Sequence, residues 1–166
     1  MVKDEIREIA EIVGGDSTYQ HFVRRINKEF EISNEERNSH VYVLFEPDGN
    51  DNKIGFAVIG HSPAKMKVWN QVFMEEGWVD NTFQMGDNPF ELMYMYIKPE
   101  YRNQKKGTIL FKKVVQFSKD KGVNEIYAYV SDRNSTALSF YKKMQAETLQ
   151  DLSDEGIVSA FLRWKL

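Results

Sequence analysis

The sequence predicts a mixed α/β domain, and three observations carry that prediction. Six β-type runs, at residues 41–46, 54–59, 92–98, 125–130, 147–152 and 157–166, are interleaved with segments whose apolar residues return every three or four positions. The run at 92–98 is rich in Met, Tyr and Ile and stops at Pro99, which fixes φ and has no backbone donor. Beyond it a polar, basic loop at 101–107 leads into an amphipathic helix with Leu110, Val114 and Phe117 at i, i+4 and i+7. Residues 91–145 thus read strand, loop, helix, strand, helix.

The elements before that stretch follow from local pattern. Ile6, Ile9, Ala10 and Val13 share one face of a helix closed by Gly14-Gly15. A second helix starts after Asp16-Ser17, where Ser17 and Gln20 form a capping-box pattern, and Tyr19, Phe22 or Val23, Ile26 and Phe30 continue its face. His21 lies in this helix without a second histidine at ligand spacing, so a structural or surface role is expected. Residues 31–39 form a charged connector. The runs at 41–46 and 54–59 flank a turn-rich segment and should pair as a hairpin. Asp48 and Asp51 do not make a calcium loop, because Ile59 stands where the twelfth position needs a glutamate. Residues 61–89 then form a long insertion. Ser62-Pro63 can cap and start a helix with Met66, Trp69, Val72 and Phe73 as its stripe. The insertion reads either as a wall over a ligand or as extra packing or a homodimer surface, and an aromatic stripe favours packing. At the other end, the runs at 147–152 and 157–166 should close the sheet as a hairpin. In the last run Val158, Ala160, Leu162 and Trp164 form a mainly apolar face, opposite Ser159, Phe161, Arg163 and Lys165.

The loop after the third strand is an anion site by its physics. A helix N-terminus offers backbone N–H groups and the positive end of the dipole, which suit a phosphate or pyrophosphate. Lys98, Arg102, Lys105, Lys106, Lys112 and Lys113 against Glu100 give residues 98–113 a charge of +5 in a chain of −3, so the remainder carries −8.

These residues carry a family resemblance. Pro99-Glu100-Tyr101-Arg102 followed by Gly107-Thr108 resembles the acetyl-coenzyme A loop of the GNAT superfamily of N-acetyltransferases: Gln or Arg, two residues, Gly, one residue, Gly or Ala. Arg102 and Gly107 match, and Lys105 stands where the first Gly is usual. A register starting at Gln104 puts Ile109 at the Gly or Ala position. The first register keeps the Pro-Glu-Tyr entry and sets Leu110 and Phe111 in helical phase. Downstream, Asn134, Ala137, Phe140 and Tyr141 resemble the later helix of the same superfamily, which usually continues with Gly-Phe where this chain has Gln145-Ala146. The two motifs lie in the expected order, separated by a helix and a strand.

The length of 166 residues suits one domain, 1–166. The resemblance, which covers roughly residues 54–166 in layout and is specific within 91–145, implies a central, mostly antiparallel sheet of about six strands flanked by helices. Family members commonly place a strand ahead of the first helices, and no such run is evident here. The resemblance also implies an acetyl-coenzyme A dependent N-acetyltransferase acting on an amine of a small molecule or protein. Arg102, Asn103, Gln104, Lys105, Lys106, Gly107 and Thr108 would cradle the coenzyme, helped by Asn134, Ala137 and Phe140. The backbone of Met95, Tyr96 and Ile97 would pair with the pantetheine arm and offer an N–H to the thioester oxygen. The coenzyme would enter where the strand ending at Lys98 parts from the strand at 125–130. The alternative is a non-catalytic acyl-coenzyme A binding, regulatory module.

Acetyl transfer needs a neutral amine, a stabilised oxyanion and a proton for the departing thiolate. Tyr141 is the candidate general acid, or else a helix-face aromatic packed with Phe140 and Met144. Glu91, at the start of the central strand, is the candidate base, or else a solvated strand-end charge. Asn134 suits a helix N-cap, and Lys105 and Lys106 either reach pyrophosphate or are solvated.

Composition removes other classes. The chain has no cysteine, which excludes a disulfide framework, a thiolate metal site and a cysteine acyl-enzyme, so direct attack in a ternary complex is the economical route. No metal site is expected. The acidic balance argues against nucleic acid as the main partner. Without a signal peptide or an apolar run near 18 residues, no membrane association is expected and the cytoplasm is the default location.

Overall fold

The computed structural model describes residues 3–16, 20, 23–24, 40–131, 135–151 and 160–166. His21, most of the expected second helix, the connector at 31–39, Asn134 and the turn of the closing hairpin lie outside the described residues. Among the described residues four helices, α1 (Lys3–Val13), α2 (Pro63–Glu75), α3 (Lys106–Asp120) and α4 (Ser135–Lys143), accompany six strands. These are β1 (His40–Pro47), β2 (Lys53–His61), β3 (Phe90–Ile97), β4 (Glu125–Val130), β5 (Glu147–Asp151) and β6 (Ala160–Lys165). They form one sheet in the order β1-β2-β3-β4-β6-β5. The helix α3 connects β3 to β4, which pair parallel through Phe90↔Ile126 and Glu91↔Tyr127. The pairs β4–β6 and β5–β6 are antiparallel. The sheet is therefore the mixed, mostly antiparallel one expected. Among the described residues no strand precedes α1, and no helix is long and apolar enough to cross a membrane.

Contacts group the chain into two compact units, residues 1–60 with 93–117 and residues 61–92 with 118–166. In the first, α1 buries Ile9, Ile12 and Val13 against Val41, Phe56, Val58 and Tyr96. Ile12 takes the place expected of Ile6 and Ala10, which are only half-buried. Gln20 Nε2 donates to the Gly14 carbonyl at 2.7 Å, which ties its side chain to the end of α1; Ser17, the other half of the expected capping box, lies outside the described residues. Strand β2 is buried from Ile54 to Gly60, and two glycines let its neighbours close in. A Cβ on Gly55 would stand 2.6 Å from the Tyr96 carbonyl oxygen, and one on Gly60 2.3 Å from that of His40. The β1–β2 turn is organised by Asp48. Its carboxylate accepts from the Asn50 N–H (2.6 Å), the Asn52 N–H (3.1 Å) and Asn52 Nδ2 (3.0 Å).

In the second unit α2 starts with Pro63 at its first turn, as expected, but Ser62 makes no side-chain cap bond. Met66, Phe73 and Tyr127 form a buried cluster lined by Trp69, Trp78, Phe83 and Phe161. The aromatic stripe of the 61–89 insertion is thus core packing, and it covers one face of β4 and β6. That cover changes the reading of β6. Ala160, Leu162 and Trp164 are buried as the alternation requires, yet Arg163, assigned to the polar face, is buried as well. A buried guanidinium needs partners. Arg163 Nε and Nη2 grip Glu147 at 2.9 and 2.8 Å, and Nη1 lies 3.7 Å from Glu125. Glu125 Oε2 also accepts from the Gly86 N–H (2.7 Å) and the Tyr127 hydroxyl (3.1 Å). Burial, reinforced by the Glu125 carboxylate, pushes the Tyr127 phenol well above its ordinary range and keeps it a neutral donor.

Candidate functional site: an anion cradle and a buried carboxylate

The cradle belongs to the first unit and begins where β3 ends. The Lys98 N–H donates to the Ile54 carbonyl at 2.9 Å, and Pro99–Tyr101 then make one 3₁₀ turn. The loop curls through Asn103 and Lys105, both at φ 61°, in the left-handed region. The Lys105 carbonyl accepts from the Ile109 N–H at 3.0 Å, so the residue at the family's usual glycine is the one that opens α3. A non-glycine residue there costs about 1 kcal/mol. The departure at Lys105 leaves the loop backbone in the conformation that glycine favours.

Beyond Lys105 the first-turn N–H groups of a helix, here those of Lys106, Gly107 and Thr108, have no carbonyl within the helix to bond. They are the donors an anion would use. Gly107 and Thr108 are half-buried, while Asn103, Gln104 and the side chains of Lys105 and Lys112 are exposed. Gln104 Nε2 bonds the Glu100 carbonyl at 2.9 Å. This arrangement fits a phosphate-bearing coenzyme.

Two of the expected side-chain ligands are occupied within the protein. Lys106 Nζ lies 3.4 Å from Glu46 Oε1 and 3.1 Å from the Pro47 carbonyl, on a side chain that is still partly exposed. Lys113 Nζ meets Glu46 Oε2 at 2.6 Å. Glu46 is buried, and it neutralises part of the basic stretch that the sequence displays. Arg102 folds back on the strand end. Its Nε donates to the Ile97 carbonyl at 2.8 Å, Nη2 is 3.8 Å from Asp16, and the guanidinium lies 5.4 Å from the centre of the Tyr96 ring. The Tyr96 hydroxyl donates to the same Asp16 at 3.0 Å. Arg102 therefore braces the loop against the end of α1. A recess of about 500 Å³ opens at this corner, lined by Ile12, Asp16, Tyr96, Lys98 and Glu100 among others. Met95 is half-buried and Ile97 buried.

The candidate catalytic groups lie in the second unit. Glu91 is the second residue of β3 and is buried, not a solvated strand end. Lys65 Nζ, from the first turn of α2, reaches Glu91 Oε1 at 2.6 Å. Tyr141 is buried on α4, its ring edge-on to Phe140 at 5.6 Å and to Trp164 at 5.4 Å. Ala137 and Phe140 are half-buried on the same helix. The helix ends in a Schellman motif: the Ala146 N–H bonds the Tyr141 carbonyl (3.1 Å) and the Gln145 N–H that of Lys142 (3.0 Å). Gln145 has φ 62°, again left-handed, at the other position where the family usually has Gly.

Sequence reading missed Glu46, Asp16, Lys65 and the Arg163 cluster. Each is an ordinary charged residue in its local pattern, and its role depends on a partner distant in the chain.

A model of the Acetyltransferase (GNAT) family matches residues 6–145. A segment of 57 residues is 39% identical to thialysine N-epsilon-acetyltransferase of Bos taurus, and one of 56 residues is 41% identical to spermidine N(1)-acetyltransferase of Thermoplasma acidophilum. These segments span about a third of this chain and of each relative: 34% of both for the first, 34% and 35% for the second. The fold matches the crystal structure of the PaiA N-acetyltransferase of Thermoplasma acidophilum in complex with coenzyme A, with a TM-score of 0.62 at 20% identity, over 100% of this chain and 96% of that one. With the family model spanning most of its length, the chain belongs to the GNAT acetyltransferase family.

Proposed function

We propose that residues 1–166 form a single acetyl-coenzyme A dependent N-acetyltransferase domain that transfers the acetyl group to a primary amine by direct attack in a ternary complex. The observation that carries this is the first turn of α3, opened by left-handed Lys105 and followed by Gly107, at the end of a strand and inside a matched family domain. Acetyl-coenzyme A supplies the activated acyl group. The first-turn N–H groups of α3 bind its pyrophosphate, and the Met95–Ile97 backbone holds the pantetheine arm in an extended line. Glu91 takes a proton from the acceptor ammonium, and the Tyr141 hydroxyl delivers one to the departing thiolate. A phenol, at a reference pKa of about 10, gives its proton to a thiolate near 8.5 only modestly uphill, so placement matters more than acidity.

The matched segments of the thialysine and spermidine relatives support a cationic amine as acceptor, whether a small molecule or an amino group of a protein. The acidic balance outside the loop is compatible with such an acceptor and gives no reason to invoke nucleic acid or a membrane; a cytoplasmic location completes the reading.

The test is turnover of acetyl-coenzyme A with a panel of diamines and lysine analogues, comparing the wild type with Tyr141→Phe. The variant should bind coenzyme normally and lose kcat by about 100-fold, the size usual for a positioned acid. Equal rates would remove Tyr141 from the mechanism. Coenzyme binding without turnover of any amine would instead leave the non-catalytic module as the reading.

A further inference from the structure

The Lys65–Glu91 pair is an unusual place to find a lysine. Lys65 is the third residue of α2, where the positive end of the helix dipole disfavours a cation. It is held there by Glu91, whose side chain is only 6% exposed, against 47% for that of Lys65. The same Nζ lies 5.1 Å from the centre of the Trp69 ring, one turn along the helix. Trp69 meets Phe161 edge-on at 5.1 Å, and Phe161 packs against Tyr129 at 5.0 Å. Tyr129 is 47% exposed although Ala128 and Val130, its neighbours on β4, are buried. A buried carboxylate beside an indole face, continued by an aromatic wall that reaches solvent, is the chemistry that recognises an alkylammonium ion. What it holds in the free protein is the protein's own alkylammonium.

The geometry points to Glu91 and Trp69 as the ammonium subsite for the acceptor, with Lys65 an internal stand-in that a cationic alkylamine displaces. This rests on the acetyltransferase reading for the purpose of the site, not for its existence. Lys65 can withdraw, since its side chain is half-exposed. Displacement replaces one ammonium by another on Glu91, so the buried carboxylate is never left uncompensated. Neutral amine isosteres gain nothing from the exchange, and Lys65 thereby sets a threshold that only a cationic acceptor passes.

The test is binding of 1,5-diaminopentane, titrated by calorimetry without coenzyme into the wild type, Lys65→Met, Lys65→Arg and Lys65→Met/Glu91→Gln. Methionine keeps most of the stem's bulk and removes the competitor. If Lys65 fills the subsite about nine-tenths of the time, Lys65→Met should bind about tenfold tighter. Lys65→Arg should stay at wild-type affinity, and the double variant should lose binding. Thermal melts identify any variant that fails to fold, and Lys65→Gln then stands in for Lys65→Met. Equal affinity in the wild type and the neutral variant, or undiminished binding in the double variant, would overturn the proposal. Because no coenzyme is present, these outcomes are separate from a failure of the acetyltransferase reading, which would appear as absent coenzyme binding.

Discussion

Replacing Gly107 with glutamate should abolish coenzyme A binding and leave the protein folded. Gly107 is the second residue of α3, directly after Lys106 in the turn whose N–H groups are the proposed cradle. If the coenzyme binds as proposed, a glutamate there adds bulk and a negative charge where the coenzyme brings its own. A loss of at least about 100-fold, close to 3 kcal/mol, is expected. The same change helps the helix. A carboxylate in the first turn is favourable by about 0.3–1 kcal/mol, and a glycine leaves the helix. The variant should therefore melt at or slightly above the wild-type temperature, which separates lost binding from lost fold. Calorimetry with acetyl-coenzyme A alongside a thermal melt checks both. A folded variant with unchanged affinity would remove this loop from the account.

Arg163→Met should be the most destabilising single change in the second unit. The methionine keeps the buried stem but leaves Glu125 and Glu147 without the guanidinium that joins β4, β5 and β6. Removing one partner from a buried ion pair costs about 3–5 kcal/mol, because the buried charge left behind cannot return to water, whereas the half-exposed Glu147 can. Glu125 is the buried one, and it also carries the Gly86 N–H and the Tyr127 hydroxyl, so the damage should spread to the segment that covers the sheet. In a protein of this size that corresponds to a fall in Tm of roughly 6–20 °C. Denaturant unfolding monitored by tryptophan fluorescence measures it, since Trp78 and Trp69 report on this core. A loss below about 1 kcal/mol would mean that the cluster is surface-like in energy.

The strands were legible because each leaves a local trace. The run at 125–130 is β4 to the residue, and Pro99 marks the end of β3 within two positions. The local geometry of the proposed cradle was legible because a strand end, a basic loop and a helix start are all local. The two departures from the family pattern have one explanation: Lys105 and Gln145 stand at φ 61° and 62°, where glycine is usual because it pays no Cβ penalty. The backbone persists although the residue that marks it in sequence does not. Interactions across the fold left no such trace. Glu46 reaches Lys106 and Lys113 from 60 and 67 residues away, and Arg163 meets Glu125 only because β6 lies beside β4. The charge of residues 98–113 overstated the cradle for the same reason, since local counting cannot see Glu46. The alternation of β6 assigned Arg163 to its polar face, and the insertion that covers that face decided its burial.

The central claim, that the loop opening α3 is a coenzyme cradle, is tested most directly by calorimetric titration of the purified protein with acetyl-coenzyme A, with coenzyme A and dephospho-coenzyme A alongside. Saturable binding of the first two, weakened when the ribose phosphate is absent, is the expected result. No heat and no thermal stabilisation at millimolar ligand would contradict the account and leave residues 98–113 a basic face neutralised in part by Glu46.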